Sequence, residues 1–129
     1  MRTSWNGKGG FKRGALALGL ASLVVLAAGV ARAEERAFRL RAVEVDGVKF
    51  WLPSVIVVKK GDQVKIQAES KVPGDNSVHG LKIGAFKVEE IVDTKGKEIR
   101  FKADKTGVYG IDCHMHPAHI GGQLVVLEK

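Results

Sequence analysis

Apolar and polar residues alternate with a period of two along most of residues 34–129, and no stretch there carries the apolar stripe of an amphipathic helix. In residues 64–69, for example, three apolar side chains alternate with three polar ones. Turn signals such as Asp46-Gly47 and Lys60-Gly61-Asp62 separate the alternating runs. Because side chains two positions apart lie on one face of a strand, the pattern predicts seven or eight short strands. We therefore expect an all-β fold, an antiparallel β-sandwich or a small barrel.

Residues 1–33 have the parts of a secretory signal peptide. A basic, polar start precedes eighteen uncharged residues (14–31), and the small residues Ala31 and Ala33 stand where a signal peptidase reads. An uncleaved membrane anchor is the alternative, since eighteen apolar residues just suffice to span a bilayer. Many of these residues are Ala and Gly, which insert weakly, and this favours cleavage. We expect one exported, periplasmic domain over residues 34–129, with no membrane span after cleavage.

The charge balance excludes a nucleic-acid partner. The chain has a net charge of +7, with 21 basic and 14 acidic residues. Residues 1–33 hold five of the basic residues and none of the acidic ones, which leaves 16 basic against 14 acidic residues, or +2, for residues 34–129. The basic excess therefore belongs to the predicted signal peptide.

The single cysteine, Cys113, also excludes an intramolecular disulfide and any cluster bound through several thiolates.

The segment CHMHPAH, residues 113–119, places one thiol and three imidazoles within seven residues. In a loop that leaves a strand, its first, fourth and seventh residues can fold around one centre; these are Cys113, His116 and His119. A thiolate combined with imidazoles is a donor set for a transition metal. Pro117 has a fixed φ, which would stiffen the loop between the two histidines.

A further donor arrives from another strand. In the strand predicted over residues 78–83, His79 shares a face with Leu81 and Ile83, so its side chain is expected to point into the core. A lone inward histidine is more often a hydrogen-bonded core residue than a ligand. The donors in residues 113–119 favour the ligand role here.

Two residues of the loop are expected to stay outside the site. His114 alternates away from Cys113, which predicts an exposed side chain. Met115 has a thioether, but its position inside the turn favours packing. The predicted metal ligands are His79, Cys113, His116 and His119.

Copper fits this donor set better than zinc does. Structural zinc usually takes its ligands as spaced pairs of Cys or His. Two His and one Cys with a further axial ligand are the pattern of copper electron-transfer sites, and the Irving–Williams order also favours copper. Outside the cytoplasm, an exposed thiol would oxidise unless a metal held it. We expect one copper ion per chain.

The sequence resembles the cupredoxins. The resemblance lies in residues 57–62, 80–90, 101–117 and 121–128, which together span about three-quarters of residues 34–129. Within the family it is greatest to the red copper proteins of the nitrosocyanin type. The resemblance implies a Greek-key β-sandwich that binds copper through one inner strand and the loop before the last strand.

Position by position, the resemblance assigns Cys113 to the thiolate ligand, and His116 and His119 to the two loop histidines. At the position of His79, nitrosocyanin has a glutamate ligand, whereas blue copper proteins have histidine. The predicted site thus combines a blue-type first histidine with a histidine in place of the axial methionine. Since histidine binds Cu(II) more strongly than a thioether does, we expect a red or green colour and a low reduction potential. Gly80, where blue copper proteins often have Asn or Ser, leaves only its backbone to bond the sulfur.

Three functions stay open at this point. The favoured one is a periplasmic electron carrier with a redox protein as its partner. A nitrosocyanin-like redox catalyst would bind a small ligand such as nitric oxide at an open copper position, which four protein ligands disfavour. A copper carrier or buffer would need binding and release without a tuned potential. Assembly into a homo-oligomer is also left open.

Overall fold

The computed structural model describes residues 33–129, so the predicted signal peptide lies, apart from Ala33, outside the described residues. Within this range the chain forms nine strands, two 3₁₀ turns and no α-helix. The strands are β1 (Glu35–Val45), β2 (Val48–Leu52), β3 (Val55–Lys59), β4 (Gln63–Ser70), β5 (His79–Ile83), β6 (Val88–Val92), β7 (Lys97–Lys102), β8 (Gly107–Ile111) and β9 (Gly122–Leu127). The 3₁₀ turns span Gly74–Asn76 and Gly84–Phe86. The predicted all-β fold is confirmed, and no helix among residues 33–129 has the length and hydropathy needed to cross a lipid bilayer.

The strands form two main sheets and one additional pair. Sheet A has the order β2-β1-β4-β7, sheet B has the order β3-β9-β8, and β5 pairs with β6. The pairs β1–β4 and β3–β9 are parallel, whereas the other four pairs are antiparallel. The prediction of a purely antiparallel sandwich was therefore wrong in this respect: both main sheets contain parallel and antiparallel pairs. Alternation along a strand fixes which face is buried but not the direction of its neighbour.

The core lies on the inner faces of the sheets, as the alternation predicts. In β4, Val64, Ile66 and Ala68 are buried while the residues between them face outward. Ile66 lies opposite Ile99 of β7, which is also buried. Burial of an aliphatic side chain of this size stabilises the fold by about 1.5–3 kcal/mol. Trp51 of β2 is the largest fully buried side chain among the described residues.

Two backbone contacts outside the ladders bring distant segments to one end of the sandwich. The N–H of Lys82 in β5 donates to the carbonyl of Asp112 (2.8 Å), and the N–H of Asp112 donates back to Lys82 (2.9 Å). The N–H of Ile120 donates to the carbonyl of Lys49 in β2 (2.8 Å). As a result, β5, β2 and the chain that follows β8 meet around the loop 113–119.

Two local features differ from the expectation. Strand β6 was not predicted because its sequence, VEEIV, has two adjacent glutamates that break the alternation, although Val88 and Val92 at its ends are buried. The alternation predicts a strand over residues 108–113, but β8 ends at Ile111, so Cys113 follows the strand.

Candidate metal centre

His79 is the first residue of β5 and lies inside the sandwich. It pairs with Val92 of β6, and its side chain is fully buried, like those of Leu81 and Ile83 on the same face. The inward orientation predicted from the alternation is therefore confirmed. Strand pairing fixes the backbone of His79 before any metal binds.

Cys113 reaches the same region from the end of β8. Because the Lys82–Asp112 bridge holds the preceding residue against β5, the thiol lies next to the start of that strand. The backbone N–H of Gly80 donates to Cys113 Sγ at 3.3 Å, and Cys113 is buried. The backbone of Gly80 therefore supplies a hydrogen bond to the sulfur, as expected for a residue without a side chain.

His116 completes a cluster of three donors. Its Nδ1 lies 3.6 Å from Cys113 Sγ, and its ring centroid lies 5.3 Å from that of His79. One donor atom from each of these three residues falls within 4.8 Å of the other two. His116 is half-buried, whereas the other two residues are buried. The structure thus brings three of the four predicted ligands together.

His119 is buried beside this cluster but is not one of its three members. Its ring centroid lies 5.1 Å from that of His79. The N–H of His119 donates to the carbonyl of His116 at 3.0 Å, which closes a turn over Pro117 and Ala118. The turn makes the loop compact enough for both loop histidines to face the site. The assignment of His119 as a fourth ligand remains a prediction.

The hydrogen bonding of His119 defines its tautomer. Nδ1 lies 3.1 Å from the carbonyl oxygen of Ile120, which can only accept, so Nδ1 carries the proton. Nε2 is then a lone-pair acceptor, and it is buried without a hydrogen-bond partner. Burial is the main effect that lowers the pKa of His119; the Ile120 hydrogen bond opposes it, while the charges of His116 and Lys49 add to it. A neutral imidazole with a free lone pair is the form that binds a metal ion.

The two other residues of the loop lie outside the cluster. His114 lies at the surface, but its side chain is only 25% exposed, less than predicted, and its Nε2 lies 4.0 Å from a carboxylate oxygen of Glu89. Met115 is 42% exposed, so the expectation that it packs within the turn was wrong. An exposed thioether at this position makes no contribution to the core.

Trp51 is a neighbour of the site that the sequence pattern does not reveal. Its ring centroid lies 5.2 Å from that of His119 and 6.3 Å from that of His79. The period-two pattern of β2 predicts an inward Trp51, but only the loop fold shows which side chains it contacts.

The donors present fit a copper ion. A thiol and two imidazoles converge, and the unpartnered Nε2 of His119 is a further nitrogen donor at the edge of the cluster. Two nitrogens and one sulfur with a further ligand are the donor set of copper electron-transfer sites.

A comparison of the chain with protein families decides its class. The family of the cupredoxin-like domain matches residues 16–126. The chain is a cupredoxin. No curated protein matches it.

Solved structures share this cupredoxin fold. Copper nitrite reductase from Nitrosomonas europaea is 20% identical with a TM-score of 0.63, covering 74% of this chain and 42% of its own. The metal-binding domain of a Cu(I)-exporting P-type ATPase from Streptococcus pneumoniae, solved with Cu(I), is 21% identical with a TM-score of 0.59. The match covers 75% of this chain and 90% of that domain. The copper-containing nitrite reductase from Thermus scotoductus is 27% identical with a TM-score of 0.54. The match covers 74% of this chain and 28% of the reductase. This cupredoxin therefore spans less than half the length of the nitrite reductases that it resembles.

Proposed function

We propose that this cupredoxin binds one copper ion through His79, Cys113 and His116, with His119 as the fourth ligand, and that it transfers electrons in the periplasm. The observation that carries the proposal is the convergence of three donor atoms within 4.8 Å, supplied by two segments that lie far apart in sequence. Export follows from the signal peptide predicted for residues 1–33.

The chemistry of the donors favours copper over other metals. A single thiolate among imidazoles suits copper, whereas structural zinc sites usually contain several cysteines or a Cys pair combined with a His pair. The known copper proteins with this fold are consistent with the same metal here. When bound, copper supplies a one-electron redox couple.

The protein's own groups suit electron transfer in three ways. Strand pairing and the Lys82–Asp112 bridge hold His79 and Cys113 in place, which limits rearrangement between oxidation states. The Gly80 N–H withdraws electron density from the Cys113 sulfur and so tunes the potential. His116 is half-buried and offers a short route from the buried centre to a redox partner protein.

One observation favours a second function, a nitrosocyanin-like catalyst that binds a small ligand. A surface cavity of about 210 Å³ is lined by both loop histidines; its walls are Gly47, Lys49, His116, Pro117, Ala118 and His119. A small molecule in this cavity would lie next to the donors. Four protein ligands would leave no open metal position, so electron transfer is the stronger proposal.

Copper loading of the purified protein tests the proposal. We expect one equivalent of copper, a sulfur-to-copper charge-transfer band in the visible spectrum, and a reversible voltammetric wave. Cys113→Ser should abolish the band, whereas His114→Gln, a matched change in the same loop, should leave it. Absence of stoichiometric copper would refute the proposal.

Two further measurements separate the alternatives. Rapid transfer of copper to a chelator without a reversible wave would favour a copper carrier. A spectral change on addition of nitric oxide would favour the nitrosocyanin-like catalyst.

A further inference from the structure

The tryptophan beside the site is buried in an unusual way. Trp51 is 1% exposed, and its indole Nε1 has no hydrogen-bond partner. Buried tryptophans usually bond this N–H. Hydrogen bonding therefore does not account for a tryptophan at this position, whereas its ring packs beside two histidines of the site, His119 and His79.

The ring of Trp51 packs most closely on His119. The two centroids lie 5.2 Å apart with the rings tilted by 46°, compared with 6.3 Å and an edge-on arrangement for Trp51 and His79. Strand pairing fixes the position of the indole, because Trp51 lies opposite the fully buried Ala42 of β1. One wall of the space around the His119 ring is therefore rigid.

The backbone of the same strand holds the other side of His119. Ile120 donates its N–H to the carbonyl of Lys49 at 2.8 Å and forms a parallel bridge with Phe50. The Ile120 carbonyl accepts the Nδ1–H of His119. Strand β2 thus anchors the carbonyl that orients the imidazole as well as the indole that packs on it.

We propose that Trp51 is the positioning residue of the metal centre. Its indole ring, together with the backbone of β2, keeps the His119 imidazole buried beside His79 with Nε2 available. His119 rather than Met115 then supplies the fourth ligand. This inference rests on the proposed copper site. It assigns a role to a strand that carries no ligand itself. Met115, in the same loop, is exposed.

Two substitutions of Trp51 test whether its aromatic ring or its indole N–H positions His119. Trp51→Phe keeps an aromatic ring beside His119 but removes the unpartnered N–H together with part of the bicyclic ring, so its copper spectrum and affinity should stay close to those of the wild type. Trp51→Leu removes the aromatic face, so it should change the copper spectrum in the same way as His119→Ala. Loss of a group that orients a metal ligand typically weakens metal binding by about 10–100-fold, and we expect a loss of that size for Trp51→Leu.

The experiment compares the visible spectrum, the EPR copper hyperfine splitting and the copper affinity of these variants and of the double variant Trp51→Leu/His119→Ala. If Trp51 acts through His119, the double variant should resemble His119→Ala alone. Ile66→Ala is the matched core control, because Ile66 is also fully buried but lies on a different strand, β4. The residue of β4 that lies level with Trp51 across β1 is Ser70, four residues further along the strand. Wild-type spectra for Trp51→Leu, or additive effects in the double variant, would overturn the inference while leaving the copper site intact.

A measurement without copper keeps the two proposals separate. Imidazole ¹⁵N chemical shifts of the metal-free protein report the tautomer of His119, which should be Nδ1–H in the wild type and in Trp51→Phe. Trp51→Leu should give a mixture of tautomers. If this variant does not fold, the test is instead whether the wild type shows nuclear Overhauser contacts between the Trp51 indole and the His119 ring. Their absence, or an unchanged tautomer in Trp51→Leu, would overturn the positioning role. Failure of the wild type to bind copper would refute the proposed function instead.

Discussion

The imidazole of His114 lies against Gly80, in the space that the side chain of any other residue would occupy. A Cβ atom on Gly80 would come within 2.6 Å of His114 Cε1 and 2.9 Å of its Cγ. The same glycine donates its N–H to Cys113 Sγ. The glycine that departs from the blue copper pattern thus makes room for His114 while its backbone bonds the sulfur.

Gly80→Ala should destabilise the metal-free protein because His114 or the start of β5 must move. Inserting a methyl group into a filled space typically costs about 1–3 kcal/mol. His114→Ala on the Gly80→Ala background should recover most of this loss, since it removes the obstructing ring. Urea denaturation of the four proteins gives the coupling energy of the double-mutant cycle. Equal losses on both backgrounds would show that the two residues do not interact.

Copper should stabilise the folded protein, and this effect should depend on Cys113. A ligand that binds only the native state at about 100 times its Kd adds about 2.7 kcal/mol. Thermal unfolding with and without Cu(II) should show a clear rise in Tm for the wild type and for His114→Gln. Cys113→Ser, which replaces a soft thiolate with a hydroxyl, should lose most of the rise. A full rise in Cys113→Ser would mean that the metal binds elsewhere.

His119→Met should move the copper spectrum towards that of a blue copper protein. A thioether binds Cu(II) more weakly than an imidazole does, so the reduced state gains relative stability and the potential should rise. The visible spectrum and cyclic voltammetry of both copper-loaded proteins measure the two effects. An identical spectrum and potential would remove His119 from the donor set, and Met115→Leu serves as a control for changes elsewhere in the loop.

The sequence predicts the fold well where one face of a strand is buried. The alternation in β4 and the inward direction of His79 both follow from the period of two, because burial of one face is a local property. The parallel pairing of β1 with β4 does not follow from it, since partner and direction depend on the whole core. Strand β6 is hidden because Glu89 and Glu90 interrupt its pattern.

The site is predictable in its chemistry but not in its surroundings. Cys113 and His116 stand out because a thiol and imidazoles are rare neighbours in sequence, and the structure places both beside His79. The contact between Trp51 and His119 depends on how the loop returns to β2, which no local pattern encodes. The exposed position of Met115 likewise follows from the turn rather than from its apolar side chain.

The stability of the metal-free protein should fall as the pH decreases through about 6.5, in part because of His119. Burial lowers the pKa of this imidazole in the folded state below its ordinary value of 6.5. Below that pH the unfolded chain binds a proton that the native protein does not, so protonation favours unfolding, until the pH falls below the native pKa and the loss stops growing. Urea denaturation between about pH 5 and 8 should therefore show a shallower slope for His119→Gln than for the wild type. The other histidines and the carboxylates are common to both proteins and cancel in the difference. Parallel pH profiles would show that His119 takes up its proton equally in the folded and unfolded states.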